Sequence, residues 1–299
     1  MKIAVSEVIR YLQSSLNQHQ DEHLYSLNLN LWSFSLKVES PSLESIRTLQ
    51  EQFANFSGSP HNDQPDVVIR VVRADDFLSF PIDTNYLQYS QMDASLLVAP
   101  FFIIRIADHG RYVEMVVEDD HDSFLLSAMR AIAPHLAIRR GGTLMHASGI
   151  CFDGKLYAFV GHSGAGKSTI IKQLANVRDS IDVLTDEAVM IEISSDRLVG
   201  WGSPYGREHG GANLCVPLGY CFFLVQDNAT YLNRLRPAEA AARLMSNLWC
   251  INNLGDLAAN ALKIAVAISE QIPCYELHFE LNERFWEQIK RLPKVESKL

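Results

Sequence analysis

The 299-residue sequence contains no C-x-x-C pair, and its five cysteines (Cys151, Cys215, Cys221, Cys250 and Cys274) are odd in number and far apart. This spacing excludes a disulfide frame and a zinc finger and predicts reduced, mostly buried thiols. Basic residues are scarce, 26 Lys and Arg against 35 Asp and Glu, for a net charge of −9. Binding to nucleic acid or to an anionic membrane runs on clustered Lys and Arg, so neither is an expected partner. No apolar run reaches the ~18 residues of a membrane-spanning helix. The N-terminal stretch has a polar-faced helical pattern (Ile3, Val8, Leu12, Leu16) where a signal peptide would have an apolar core, which predicts a cytoplasmic location. Internal repeats and low-complexity tracts are also missing.

What is present is a globular composition, with 47% hydrophobic and 20% charged residues, in a chain long enough for one large domain or two ordinary ones. Over residues 1–140 the pattern predicts an α+β domain. Residues 24–38 alternate apolar and polar with a change of phase at Leu31-Trp32, as a bulge in one long strand requires. A helix follows, capped by Ser40, with Leu43, Ile46, Leu49 and Phe53 as its buried stripe. Strands are expected at 67–72, 96–106 and 111–118, the last two joined by the turn Asp108-His109-Gly110. The acidic run Glu118-Asp119-Asp120 reads as a solvated strand exit rather than a metal site, and the helix of 123–140 is expected to kink or break at Pro134. Gly141-Gly142 marks the boundary with a second domain, 141–299.

The chemistry concentrates in that second part. Residues 157–169, Tyr-Ala-Phe-Val-Gly-His-Ser-Gly-Ala-Gly-Lys-Ser-Thr, form an apolar strand, a glycine-rich turn and a helix start with the spacing G-x-x-x-x-G-K-[ST], that of a phosphate-binding loop. Glycines let successive N–H groups point inward, and the helix adds its positive end, so Gly161, Ser163, Gly164, Ala165 and Gly166 make a nest for an anion. Lys167 is placed to reach the β- and γ-phosphates, its ammonium facing solvent in the empty loop. Ser168 offers its hydroxyl to Mg²⁺, and Thr169 begins the helix packing. ATP and Mg²⁺ are the expected cofactors.

Asp153-Gly154 is a two-residue hairpin signal between apolar runs. If Phe152 pairs with Lys155, counting back sets His146 opposite Gly161, beside the loop; a His at a strand start also has a purely structural reading. The helix after the loop leads into a short strand at 181–184, and a crossover of this length predicts two parallel strands with their C-terminal ends on one edge. Asp186 and Glu187 would then emerge near Lys167 and Ser168, where a nucleotide enzyme needs a general base and carboxylates for Mg²⁺, although an ordinary acidic turn reads the same way. Residues 200–211 hold five glycines. They read either as a flexible loop that closes over substrate and brings Arg207 to the transferred phosphoryl group, or as a plain connection to the strand at 220–225.

The run 145–150 (Met-His-Ala-Ser-Gly-Ile), the loop GHSGAGKST, the pair Asp186-Glu187, Gly-Ser-Pro at 202–204, 235–240 (Leu-Arg-Pro-Ala-Glu-Ala) and 272–277 (Ile-Pro-Cys-Tyr-Glu-Leu) together resemble the HPr kinase-related family over about residues 140–291. These proteins resemble the kinase domain of HPr serine kinase/phosphorylase, whose core is similar to phosphoenolpyruvate carboxykinase. The resemblance implies an α/β P-loop kinase domain of that type behind an N-terminal α+β domain that recognises the acceptor. By position it assigns Lys167 to the phosphates, Ser168 to Mg²⁺, His146 to the phosphate neighbourhood and Asp186 to the base. Glu187 falls where HPr kinases carry a second, metal-holding Asp. The later Glu-Ile-Arg-Gly signature is absent, with Gly206-Arg207-Glu208 a loose replacement, which argues against HPr itself as acceptor. The expected activity is ATP-dependent transfer to a hydroxyl of a small molecule, or of Ser or Thr in a peptide or protein such as a precursor peptide. A homo-oligomer is compatible with the sequence. The competing expectations are a nucleotide-binding regulatory or assembly module without transfer and a simple NTP hydrolase.

Overall fold

A computed structural model describes residues 5–59, 64–75, 87–91, 94–174, 177, 180–195, 197–206, 211–249, 257–280 and 282–293. It is a mixed α/β structure with two mixed sheets and, among the described residues, seven α-helices. The chain divides into two compact units, the first ending at Arg139 and the second beginning at Arg140.

In the first unit, α1 (Val5–Gln18) spaces its apolar residues three and four apart, which buries Val8, Leu12 and Leu16 along one face. That stripe packs on Val72, Leu96, Val98, Ile103 and Val116 of the sheet; Ile3 lies outside the described residues. The sheet comprises β1 (Tyr25–Leu31), β2 (Phe34–Ser40), β3 (Val67–Ala74), β4 (Leu87–Gln91), β5 (Ala94–Ala99), β6 (Phe102–Ala107) and β7 (Tyr112–Glu118), in the order β1-β2-β3-β7-β6-β5-β4. The change of phase at Leu31-Trp32 is a hairpin and not a bulge. Leu31 pairs with Phe34, and Trp32 takes a positive φ of 59°, as the first central residue of a II′ turn does. Residues 96–106 likewise form two strands, β5 and β6, in antiparallel register.

The helix α2 (Leu43–Gln52) is capped by Ser42, whose side chain accepts from the Ser45 N–H, so the cap lies two residues beyond the expected Ser40. Ile46, Leu49 and Phe53 are buried, whereas Leu43 is exposed. The helix α3 (Asp122–Arg139) continues through Pro134 as one helical run.

Arg73 on β3 links these elements. Its Nε donates to Ser45 Oγ of α2 at 2.8 Å, and its other nitrogens pair with Asp119 at 2.9 Å and with Asp122 at the start of α3. Asp119 of the acidic run therefore answers an arginine, and no cluster of three His, Cys, Asp or Glu suited to a metal occurs among the described residues.

The second unit is built on β8 (Gly142–Phe152), β9 (Lys155–Val160), β10 (Asp182–Thr185), β11 (Ala188–Ser194), β12 (Arg197–Trp201), β13 (Cys215–Gln226), β14 (Tyr231–Arg234) and β15 (Cys274–Phe279). The pairings β8–β11–β12–β13–β9 return to β8, and β15 and β14 extend the sheet from β13. The helices are α4 (Lys167–Leu174), α5 (Pro237–Ser246), α6 (Ala258–Gln271) and α7 (Arg284–Lys290). An aromatic core including Phe159, Tyr220, Phe222, Tyr275, Phe279, Phe285 and Trp286 joins α4 and α7 to the strands. Cys151, Cys221 and Cys274 are buried free thiols, Cys215 is exposed, and Cys250 lies outside the described residues. No helix among the described residues is long and apolar enough to cross a membrane.

The hydrogen bond from Arg73 holds the Asp122 carboxyl below its ordinary value of 3.8. A depressed carboxylate pKa adds stability above the unfolded value, and this is lost as pH falls through the folded one. Asp122→Asn should therefore lower the stability of the first unit at pH 7 and reduce its loss of stability below pH ~4. Urea unfolding followed by Trp32, the single tryptophan of residues 1–139, checks both; an unchanged acid limb would show that the pair contributes nothing.

Candidate active site

The site forms around the middle of β8, where both edges of the strand change neighbour. Phe152 pairs with Lys155 across the Asp153-Gly154 turn, and the ladder runs back to Ala147 opposite Val160. One step further, the Gly161 N–H donates to the His146 carbonyl at 3.1 Å, which is the register counted from the turn. There the chain leaves β9 for the glycine-rich loop. The vacated edge of β8 is taken by residues 247–249: His146 N–H donates to Asn247 O at 2.8 Å and Trp249 N–H to Leu144 O at 2.9 Å.

On the opposite edge β10 pairs with residues 149–151, its register shifts, and pairing resumes with β11 from Ala188 opposite His146. Asp186 and Glu187 occupy this break, and the Glu187 carbonyl accepts from the Ala147 N–H at 3.1 Å. Both β9 and β10 run antiparallel to β8, so they are parallel to each other with β8 between them. The crossover thus makes two parallel strands, as its length predicts, with one strand between them. Their C-terminal ends still share an edge, which is what brings the loop and the carboxylates together.

His146, Ser163, Gly164, Gly166, Lys167, Ser168, Thr169, Asp186, Glu187 and Gln226 line one cavity of about 180 Å³. Of the residues expected at the site, Gly161 and Ala165 do not line it: Ala165 is buried, and Gly161 contributes its carbonyl to Lys167. Thr169 faces the cavity rather than serving the helix packing alone. Arg207 lies outside the described residues. Gly164 and Gly166 have φ of 85° and 107°, conformations that residues with a Cβ avoid, and a Cβ on Gly166 would stand 2.7 Å from Phe279 Cζ.

Lys167 corrects one expectation. Its side chain does not face solvent: the residue is 8% exposed, and its Nζ donates to the carbonyls of Gly161 at 2.8 Å and His162 at 3.0 Å. A buried ammonium needs such partners, since leaving it unpaired costs several kcal/mol. Asp186 and Glu187 are 3% and 8% exposed. Glu187 Oε1 lies 3.6 Å from His146 Nε2, beyond hydrogen-bond reach but close enough for strong attraction when the imidazole is charged. The His146 ring lies parallel to the Trp249 indole with centroids 6.3 Å apart, and Tyr205 meets that indole edge-on at 5.4 Å.

The glycine-rich stretch after β12 is a tightly packed connection over 202–205, and the part that carries Arg207 lies outside the described residues. Gly202, Ser203, Pro204 and Tyr205 are buried. Ser203 Oγ donates to Ala188 O at 2.6 Å, and the Ala212 N–H donates to Leu184 O at 2.9 Å. The segment is a buttress behind the acidic pair.

Gln226 is the lining residue that sequence reasoning missed. Its Nε2 donates to Gly164 O at 3.0 Å. It ends β13, which runs parallel beside β9, and a polar residue closing the strand expected at 220–225 was the available signal, because ligands gather at such ends.

These features define an α/β unit with a lysine-bearing glycine loop and two carboxylates on one cavity. The chain belongs to the ScmC family: the model described as SynChlorMet cassette protein ScmC matches residues 112–294, more than half of the sequence. No curated protein matches it.

The buttress is open to test. A Cβ on Gly202 would sit 2.0 Å from Ala212 O and 2.6 Å from Leu184 O, so Gly202→Ala must displace the backbone before Asp186. Overpacking of this kind costs about 1–3 kcal/mol. Urea unfolding of the second unit should register it, and an unchanged midpoint would show that the segment yields freely.

Proposed function

We propose that this chain is an ATP-dependent kinase of the HPr kinase-related type, with the second unit a P-loop kinase domain of the HPr kinase/phosphoenolpyruvate carboxykinase kind. One observation carries the reading. Lys167 and Ser168, Asp186 and Glu187, and His146 come from three separate stretches and line a single cavity at the start of α4. A glycine loop opening a helix suits phosphates, and a carboxylate within the same cavity suits a hydroxyl acceptor.

In this reading Asp186 takes the proton of the acceptor hydroxyl as its oxygen bonds to the γ-phosphorus and the bond to the leaving ADP oxygen breaks. Lys167 turns from the carbonyls of Gly161 and His162 to the β- and γ-phosphates, where its charge stabilises the transition state. His146 stands beside the transferred group and balances Glu187. The donor set fits Mg²⁺, which takes few protein ligands and completes its shell with phosphate oxygens and water: Ser168 and Glu187 would hold it, and its charge would neutralise the phosphates.

Two variants test the reading with [γ-³²P]ATP, serine, threonine and short peptides as acceptors. Asp186→Asn keeps size and hydrogen bonding but not basicity, so transfer should fall about 10²–10⁴-fold with nucleotide affinity little changed. Transfer surviving within a few-fold would overturn Asp186 as base. Nucleotide binding by the native chain without any transfer would favour a regulatory module, and phosphate released only to water a hydrolase. Lys167→Met keeps the buried stem and removes the ammonium; nucleotide binding and transfer should be lost together, with the circular dichroism spectrum retained.

A further inference from the structure

A loop with two left-handed glycines has many alternative shapes, and ordering such backbone costs about 1–2 kcal/mol per residue. A loop held in its binding shape beforehand spares the ligand that cost. Two of the bonds holding this loop come from Lys167 Nζ, to the carbonyls of Gly161 and His162. In the proposed reaction those are the bonds that Lys167 gives up on turning to phosphate. The bond from Gln226 Nε2 to Gly164 O is different: its donor stands on another strand, and nothing in the reaction calls on it to let go.

Gln226 is itself held. The next residue, Asp227, donates its N–H to Phe279 O at 3.1 Å and receives His278 Nδ1 on its carboxylate at 2.8 Å. His278 Nε2 meets Glu276 Oε2 at 3.1 Å, and Glu276 Oε1 meets Arg243 of α5 at 2.7 Å. Tyr231 stacks on the His278 ring with centroids 4.2 Å apart. The ends of β13 and β15 are thereby tied together directly under the loop, where Phe279 also fills the space below Gly166.

We propose that Gln226 is a positioning residue of the site, keeping the glycine loop in its nucleotide-accepting shape while Lys167 exchanges loop carbonyls for phosphate. The part that concerns nucleotide rests on the function proposed above; the tie between Gln226 and the loop does not. Gln226→Met keeps the volume and removes the donor. Gln226→Glu keeps the shape but faces Gly164 O with an acceptor and sets a negative charge beside the phosphates.

The experiment reads amide hydrogen exchange over residues 161–168 without nucleotide, then titrates MgATP, in the native chain and both variants. In each variant exchange should quicken in the loop alone, with the thermal midpoint retained. The dissociation constant for MgATP should rise about threefold to tenfold in Gln226→Met, the worth of one hydrogen bond, and more in Gln226→Glu. Unchanged loop exchange and unchanged affinity in Gln226→Met would overturn the inference. If the native chain binds no MgATP, the kinase reading falls by itself: quickened loop exchange in the variants would still uphold the tie, and unchanged exchange would remove it as well.

Discussion

A strand in the interior of a sheet has two edges, and every N–H and C=O along each of them must be answered. On β8 both edges change partner within the same few residues. The N–H and carbonyl of His146 point to one side, where they are answered by Asn247 and Gly161, and the Ala147 N–H points to the other, where Glu187 answers it. Two breaks that could have fallen anywhere along eleven residues fall opposite each other, and each delivers one half of the site. The glycine loop departs through one and the acidic pair turns through the other. The remaining features, namely the buttress at 202–205, the plug at 247–249 and the tied ends of β13 and β15, keep these two departures where they are.

The electrostatic consequence is a compact set of opposite charges. Lys167, Asp186 and Glu187 are each less than a tenth exposed, and isolated charges buried to that degree would be untenable. Loop carbonyls solvate the ammonium, and His146 stands 3.6 Å from Glu187. The first unit uses the same device at Arg73, which is surrounded by Ser45, Asp119 and Asp122. Its partners there are exposed carboxylates, so that cluster contributes to helix placement more than to chemistry.

How much of this could be read from sequence depended on whether the local signal and the tertiary demand agreed. Asp153-Gly154 has one comfortable turn geometry, and pairing then follows by counting, so the meeting of His146 with Gly161 was legible seven residues away from the turn. The hairpin at Trp32-Ser33 was not, because a bulky residue in a positive-φ position gives no warning in composition. Gly202 and Gly211 suggested flexibility, yet both stand where a Cβ would strike backbone oxygens at about 2 Å; a glycine needed for close packing and one needed for motion look the same in a sequence. Burial of the Lys167 ammonium was hidden for a related reason: its partners are carbonyls, which every residue has.

The closed circuit of pairings in the second unit also limits how another polypeptide can approach. Open strand edges invite a further strand, and many peptide-binding domains capture their ligands in that way. Between Leu144 and Cys151, β8 has neighbours on both sides, so the strand that carries the site offers no edge to extend. Under the function proposed above, a polypeptide acceptor could not reach Asp186 by lying alongside β8 as an added strand.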